Sequence, residues 1–470
     1  MGFAYSEALQ ALNNMVNYEW QQPAAYTPDV ISLERPRRLL AALGDPQETY
    51  PTIHIAGTKG KGSVSAMCAS ILEAAGYRVG FYSSPHLQEF RERFRINGAM
   101  IAPESFAAIM DTIAPFLDQI SGLTYWEVLT AIGFEYFRRE RVDVAVIEVG
   151  LGGRLDATNV LKHPLVTTIT NLSYDHMHLL GETLTLIAGE KAAIMKPGTP
   201  AVTAPQVPEA MHVLEKFAAD RGVTLTTVGR DWAVEPGPPT VDGQPFSAGP
   251  TGQALRPYFT PLIGHHQAVN GAVALATMDK VRAAGFTVSY TAEQQGLARV
   301  NWPGRFEVVG RAPYVILDSA HNAESAERVA ALIKALFAGQ PITLLFGAFT
   351  DKDVSGMFRA LLPLTQTLIL MRARSPRAFE AETLADKAIA SGFTNPLITA
   401  TTADHAYKLA HDMTPPDGVI LATGSTTIVG ELRDILGLPP IQAAYLGAPA
   451  APATRAAGAT TGEVEGKTSR

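Results

Sequence analysis

The sequence predicts an α/β protein with two parallel-sheet domains, and three observations carry that prediction. Short β-rich runs alternate with helix-like runs along most of the chain. One of the first, Thr52-Ile53-His54-Ile55-Ala56, feeds a glycine-rich turn that opens a helix, the order of a phosphate-binding loop. After a polar stretch rich in Pro and Gly, the alternation starts again near Gly304, as a second and smaller unit would. A chain of 470 residues is long enough for two separate cores.

Residues 1–50 read as two helical stretches around the loop Gln22-Pro23-Ala24-Ala25-Tyr26-Thr27-Pro28. The strand over 52–56 leads through the turn into a helix over 63–75, which Gly76 stops. The next strand, over 78–82, completes a βαβ unit. Residues 142–149 are almost all apolar, as expected of a central parallel strand buried on both faces. Another strand covers 166–170, and 230–260 reads as irregular β structure and loops. In the second unit a strand over 314–318 precedes a helix over 324–337, with further strands over 342–346, 367–371 and 419–423. From about Gly447 the chain lacks large apolar residues, and disorder is expected. The domains are therefore set at 1–303 and 304–440, with a tail over 441–470, and no internal repeat is found.

Composition narrows the function. A 47% hydrophobic and 18% charged chain is that of a soluble globular protein. With 38 basic against 45 acidic residues the net charge is -7, which gives no electrostatic footprint for nucleic acid. The N-terminus has no apolar core of signal-peptide length, and no apolar run is long enough to span a bilayer, so no membrane is expected. Met1-Gly2-Phe3-Ala4-Tyr5-Ser6 fits the loose myristoylation pattern, which chance meets easily, so no lipid is expected. The only cysteine, Cys68, lies in an apolar helical run and is read as a core residue. It allows no intrachain disulfide, which suits a reducing cytoplasm.

The strongest chemical signal is Gly57-Thr58-Lys59-Gly60-Lys61-Gly62-Ser63. Glycines let backbone N–H groups crowd around phosphate oxygens, the helix N-terminus adds partial positive charge, and Lys61 adds a full one. Gly62 stands where Ser or Thr normally holds Mg2+ in such loops, so the metal must find other oxygen ligands, with Ser63 one residue late. Candidates sit at strand ends: Ser84, then Glu148 ahead of Gly150-Leu151-Gly152-Gly153-Arg154, then Asp175-His176. Taken singly, each is more often a turn residue. Together they share the C-terminal edge of a parallel sheet, where open α/β folds bind ligands. In the second unit, Arg305 follows Trp302-Pro303-Gly304, and Asp318 ends a strand before Ser319-Ala320-His321-Asn322. An acid at a strand end can hold ribose hydroxyls, and an arginine at a junction can neutralise phosphate. A surface ion pair and a helix cap fit these residues equally well.

Together these residues resemble the folylpolyglutamate synthase and dihydrofolate synthase family, within the wider Mur ligase group, from about Leu33 to Leu436. The resemblance rests on the loop His54 to Ser63, on Ser83-Ser84-Pro85-His86-Leu87, which looks like the family's mobile loop, and on Glu148-Val149-Gly150-Leu151-Gly152-Gly153-Arg154-Leu155-Asp156-Ala157-Thr158-Asn159. Glu190-Lys191-Ala192-Ala193-Ile194-Met195-Lys196 and Pro303-Gly304-Arg305 also fit. It implies a P-loop ATPase domain followed by a Rossmann-like α/β domain. It also implies ATP-dependent addition of L-glutamate to dihydropteroate, or to the γ-carboxyl of a reduced folate, through an acyl phosphate. Thr58, Lys59, Gly60 and Lys61 would hold the ATP phosphates, and Asn270, Arg305 and Asp318 would complete the ATP site. Ser84, Glu148 and His176 would bind Mg2+. Thr124, Tyr125, Trp126, Glu127, Leu155, Asp156 and Ala157 would line the pterin site. Lys191 would be carbamylated, and His321 would hold the incoming glutamate or the phosphate in transfer. Lys61, Lys191 and His321 are thus the catalytic candidates, in a protein expected to be monomeric.

Some positions depart from the family. Lys59 stands where Asn is common, Trp126 replaces a more usual Phe, Ser319 and Ala193 replace frequent Gly, and Asp29-Val30-Ile31-Ser32 matches poorly. A Mur-type cell-wall ligase is a rival, disfavoured by Gly62-Ser63 where Thr-Thr is usual and by the lack of a sugar-nucleotide domain ahead of the loop. A nucleotide-dependent switch is a second rival, disfavoured by the retained Glu148, His176 and Lys191.

Overall fold

The computed structural model describes residues 2–17, 25–28 and 30–441. The expected disordered tail beyond Ile441, Gln22-Pro23-Ala24, Asp29 and Met1 of the lipid pattern lie outside the described residues.

Two large sheets form the frame. The first has eight strands in the order Ala99–Met100, Phe94–Ile96, Val79–Tyr82, Val144–Glu148, Thr52–Ala56, Val166–Ile169, Ala201–Thr203, Leu225–Thr227. From Val79–Tyr82 onward all are parallel, and the first two form an antiparallel edge hairpin. The inner strands are buried at every position, which is why they read as unbroken apolar runs. Successive side chains still point to opposite faces. Val144 and Val146 enter one core with the helices Lys61–Ala74 and His265–Ala283, while Ala145 and Ile147 enter another with the helix Tyr125–Arg139. Cys68 is fully buried in the first of these cores, as expected.

The second sheet runs Glu307–Arg311, Tyr314–Leu317, Val419–Thr423, Ile342–Phe346, Thr367–Met371, Leu397–Ala400. Its first strand is antiparallel and the rest are parallel. The chain crosses between the sheets after the helix Tyr290–Arg299, through Trp302-Pro303-Gly304-Arg305.

One stretch differs from its reading. Residues 230–260 form a regular three-stranded antiparallel sheet of Trp232–Pro236, Gln244–Pro250 and Arg256–Thr260. Pro236, Pro245, Pro250 and Pro257 disguised it, because proline usually marks strand ends or edges. Burial outweighs that local cost. Trp232, Phe246, Ala248 and Tyr258 turn into the core, with the Phe246 and Tyr258 rings stacked at 5.6 Å. Gly271 on the helix His265–Ala283 makes the room, since a Cβ there would stand 2.5 Å from Phe246 Cζ. Among the described residues no helix is long and apolar enough to cross a membrane.

Candidate active site

Strand register gathers the site. Ile55 pairs with Glu148, Tyr82 with Ile147 and Ala56 with Ile169, so the turns after these four strands leave the sheet along one edge. They carry the phosphate loop, Ser84, Glu148 and the segment to His176. In the loop, Gly57 has φ 149° and a Cβ there would collide with Thr170 Oγ1 at 1.9 Å, so only glycine fits. Gly60, with φ 90°, precedes the helix, and Asn270 Oδ1 stands 2.6 Å from where its Cβ would be. Asn270 thus packs directly on the loop. The unusual Gly62 has a packing cause: a Cβ would stand 2.5 Å from Trp302 Cζ2. The Thr58 and Lys59 amides are tied to the Asn171 carbonyl, at 2.9 and 3.1 Å. Lys61 Nζ donates to the Gly57 carbonyl at 3.2 Å, inside its own loop.

Glu148 is 3% exposed, and its Oε2 has no hydrogen-bond partner. Burial pushes its carboxyl up to about 7, against the pull of Lys61, the Ser84 amide, Arg305 and Arg95. Ser83, Ser84, Pro303 and Arg305 line the same cleft. An orphaned carboxylate oxygen on a residue that lines one cleft with Ser84 fits Mg2+, which keeps waters and binds through one or two carboxylates plus phosphates. Among the described residues no group of three or more His, Cys, Asp and Glu is assembled for a metal. Such a site would therefore draw on Ser84 and the substrate as well. His176 caps a short helix in the left-handed region, at φ 49°, which is strained for a non-glycine residue. Its partly exposed ring lies 3.8 Å from Asp175, within the electrostatic reach of Lys61 and Lys191.

Lys191, on the helix Leu184–Ala192, is 4% exposed. Burial and the neighbouring Lys61 pull its ammonium down to about 7, while Asp175 and Asp156 hold it up. Glu190 does not neutralise it, because that carboxylate pairs with Arg154 at 2.9 Å. Lys59 pairs with Asp175 at 2.8 Å, joining the phosphate loop to the His176 segment. From the second sheet, Asp318 accepts the amides of Phe306 at 2.7 Å and Ala320 at 2.8 Å. Burial pushes its carboxyl up and the Arg305 charge opposes that. Phe306 itself is left-handed, at φ 49°. His321 Nδ1 lies 3.0 Å from the Ser319 carbonyl, so that nitrogen carries the proton and Nε2 is an acceptor. Burial, then Lys59, lowers its imidazole to about 4, so it is neutral. Both sheets thus contribute to one charged centre, with Glu148 and Arg305 coupled across the junction.

The residues assigned to the pterin differ in what they can reach. A Cβ on Gly150 would stand 3.4 Å from Asp156 Oδ2, 3.5 Å from Trp126 Cζ3 and 3.6 Å from Ser84 Oγ, so these side chains meet around one backbone position. Trp126 is half-buried, with the Arg93 guanidinium 5.3 Å from its ring centroid. Thr124 and Glu127 form the capping box of the helix Tyr125–Arg139, and Glu127 also binds Arg35 at 2.8 Å. Tyr125 is 2% exposed within the core. Leu155 is buried with Tyr26, Leu180 and Ile187, and Ala157 begins the short 3-10 turn that Asp156 caps.

Several contacts around these residues had no readable sequence signal. Asp156 accepts the Gly150 and Leu151 amides on Oδ2 and the Thr158 amide and hydroxyl on Oδ1. Because the Thr158 proton goes to Asp156, the His54 Nε2–H donates to Thr158 Oγ1 at 2.9 Å, and Nδ1 is left buried without a partner. Burial holds that imidazole at about 3, with Lys196 adding to the effect. Tyr26 takes the Gly153 and Leu155 amides on its hydroxyl and donates to the Leu151 carbonyl. Arg95 lies over the stacked Phe81 and Trp302 rings, at 4.3 and 5.0 Å from their centroids. Lys352 adds a cation beside His176 and His321. Only its position two residues past Thr350, beyond the strand Ile342–Phe346, could have pointed to it.

Known proteins share the sequence and the architecture of this chain. A Mur ligase middle domain is matched over residues 55–278, and a Mur ligase, glutamate ligase domain over residues 304–426. The dihydrofolate synthase/folylpolyglutamate synthase of Bacillus subtilis (strain 168) is 34% identical over 408 residues, covering 85% of this chain and 94% of that protein. The Mycobacterium tuberculosis folylpolyglutamate synthase complexed with ADP superposes with a TM-score of 0.83 at 33% identity, covering 93% of this chain and 99% of that one. Escherichia coli FolC in complex with DHPP and ADP superposes with a TM-score of 0.81 at 29% identity, covering 93% and 98%. The two-sheet architecture is therefore that of the Mur-type ligases, and the chain belongs to the folylpolyglutamate synthase/dihydrofolate synthase family.

Proposed function

We propose that this chain is an ATP-dependent ligase that joins L-glutamate to dihydropteroate, to the γ-carboxyl of a reduced folate, or to both. The observation that carries the reading is the meeting of the phosphate loop and the orphaned Glu148 of one sheet with Arg305, Asp318 and His321 of the other.

A free carboxylate resists attack by an amine. Its oxygen therefore first attacks the γ-phosphorus of ATP, ADP leaves, and an acyl phosphate forms. The glutamate amine then attacks the acyl carbon, phosphate departs with that oxygen, and the amine nitrogen loses a proton. Little of this is covalent chemistry for the protein, which positions the reactants and neutralises charge. Thr58, Lys59 and Gly60 would surround the phosphates. Lys61 would exchange the Gly57 carbonyl for a phosphate oxygen. Arg305 would add charge from the junction, and Asn270 would hold the loop in place. Asp318 keeps a spare lone pair on each oxygen for ribose hydroxyls. His321 would offer neutral Nε2 as an acceptor to the glutamate amine. Mg2+ held by Ser84, Glu148 and His176 would supply positive charge at the transferred phosphoryl group. Lys191, as a carbamate, would present oxygens where a bare ammonium would repel that metal. Trp126 would stack on the pterin, beside Asp156 and the segment 155–157. A cytoplasmic location belongs to the same reading, supported by a chain with one cysteine, Cys68, which is buried, and a monomer is proposed with it.

The test is ADP release with dihydropteroate and with tetrahydrofolate assayed separately. Release that needs both a pterin and glutamate is expected with at least one of them. Release indifferent to glutamate would make the protein a nucleotide-dependent switch.

A further inference from the structure

Ser84 opens a loop that ends on the second domain. Within the loop, the Glu92 carboxylate, 1% exposed, accepts the amides of Leu87 at 2.7 Å, Gln88 at 3.2 Å and Glu89 at 3.2 Å. The loop is therefore held as one piece. Outside it, Gln88 Nε2 donates to Asp434 Oδ1 at 2.9 Å and to the Leu438 carbonyl at 3.0 Å, while its Oε1 accepts from Arg433 Nε at 2.7 Å. Both N–H groups and the carbonyl of one side-chain amide are thus used across the domain junction. Arg433, 4% exposed, continues to the Glu307 carboxylate and the Pro439 carbonyl. On the same helix, Thr426–Ile435, a Cβ at Gly430 would stand 2.2 Å from the Leu87 carbonyl oxygen, so helix and loop backbones touch. Thr426 at the start of this helix lines the cleft with Ser84, Glu148 and Arg305.

We propose that Gln88 is a positioning residue that clasps the Ser84 loop to the helix Thr426–Ile435. Ser84 then reaches its working place only when the second domain has brought up Arg305, Asp318 and His321. Activation of the carboxylate is in this way tied to docking of the domain that receives glutamate. The proposal rests on the reading of Ser84 as a Mg2+ ligand.

Gln88→Leu removes all three bonds at similar bulk. Gly430→Ala separates loop from helix without touching Gln88. Both variants and the wild type are assayed for glutamate-dependent ADP release over a Mg2+ series. Their thermal stabilisation by Mg2+ with ATP, in the absence of pterin and glutamate, is measured beside it and should be smaller in both variants than in the wild type. The expected result for both is a kcat lowered ~tenfold and a Mg2+ concentration for half-maximal rate raised ~threefold or more, with the pterin KM within ~twofold of wild type. Gln88→Glu, which keeps the acceptor for Arg433 but sets a carboxylate oxygen against Asp434 and the Leu438 carbonyl, should fall at least as far and serves if Gln88→Leu folds poorly. Wild-type kcat and Mg2+ requirement in these variants would overturn the proposal. A lowered rate with an unchanged Mg2+ requirement would overturn it too, since the clasp would then be interface packing alone. A wild type without glutamate-dependent ADP release would instead sink the ligase reading beneath it.

Discussion

Glu148→Ala is expected to lose ligation by on the order of a thousandfold, because metal neutralisation of a phosphoryl group is worth several kcal/mol and each ~1.4 kcal/mol is a factor of ten. The fold should survive. Glu148 closes its strand, its Oε2 has no partner, and burial holds its carboxyl at about 7. The direction of that shift gives a second readout. A carboxyl whose folded-state pKa is raised keeps its full stability below its ordinary unfolded value near pH 4 and loses stability as pH rises through about 7. Metal-free Glu148→Gln should therefore melt at or above the wild-type temperature at pH 8 while remaining inactive. Stabilisation by Mg2+ with ATP should shrink in the same variant. Near-normal turnover by Glu148→Ala would remove it from the metal site.

Lys191→Ala is expected to lose activity by about ten- to a hundredfold, the range seen when groups that support a metal's ligands are removed. The cause proposed is a missing anion, not a missing cation. Lys191 is buried beside Lys61, and its neighbour Glu190 is taken by Arg154. An amine pulled down to about 7 is largely neutral above that pH and can react with CO2. Below it, protonation blocks the reaction, so wild-type activity in bicarbonate-poor buffer should fall as pH drops through about 7. Added acetate or formate should partly rescue Lys191→Ala by restoring oxygens. Lys191→Arg keeps a cation and fills the space acetate would need, so it should stay inactive in either buffer. Ordinary ligation by Lys191→Arg would show that a plain cation suffices.

Much of the frame could be read locally. The strand Val144–Glu148 announces itself because both its faces are buried, so no polar alternation interrupts it. The phosphate loop is legible because close backbone approach demands glycine, and the collisions a Cβ would meet at Gly57 and Gly60 show why. β structure was legible over 230–260 but its regularity was not, because the prolines speak for local backbone cost, while Phe246 and Tyr258 are ordered by a helix that follows them in sequence. The same limit applies at the site. Glu148 could be singled out by standing at a strand end, but its orphaned oxygen exists only once Lys61, Ser84 and Arg305 surround it. The link from His54 through Thr158 to Asp156 joins positions about a hundred residues apart, and Gln88 meets Arg433 and Asp434 across most of the chain. Neither histidine nor glutamine carries a pattern that names a partner so far away. Lys352 has the same difficulty, because a lysine in a loop is ordinarily a solvated charge.

The central claim is that the substrate carboxylate is activated as an acyl phosphate, and the fate of its oxygen tests this most directly. The measurement is single-turnover ligation with a pterin substrate whose reacting carboxylate carries heavy oxygen in both positions, followed by mass analysis of the released phosphate. Attack on the γ-phosphorus followed by displacement by glutamate must leave one labelled oxygen in phosphate and one in the new amide. Phosphate free of label, with glutamate still joined to the pterin, would contradict an acyl-phosphate route and, with it, the proposed roles of Lys61, Glu148 and Arg305 in phosphoryl transfer.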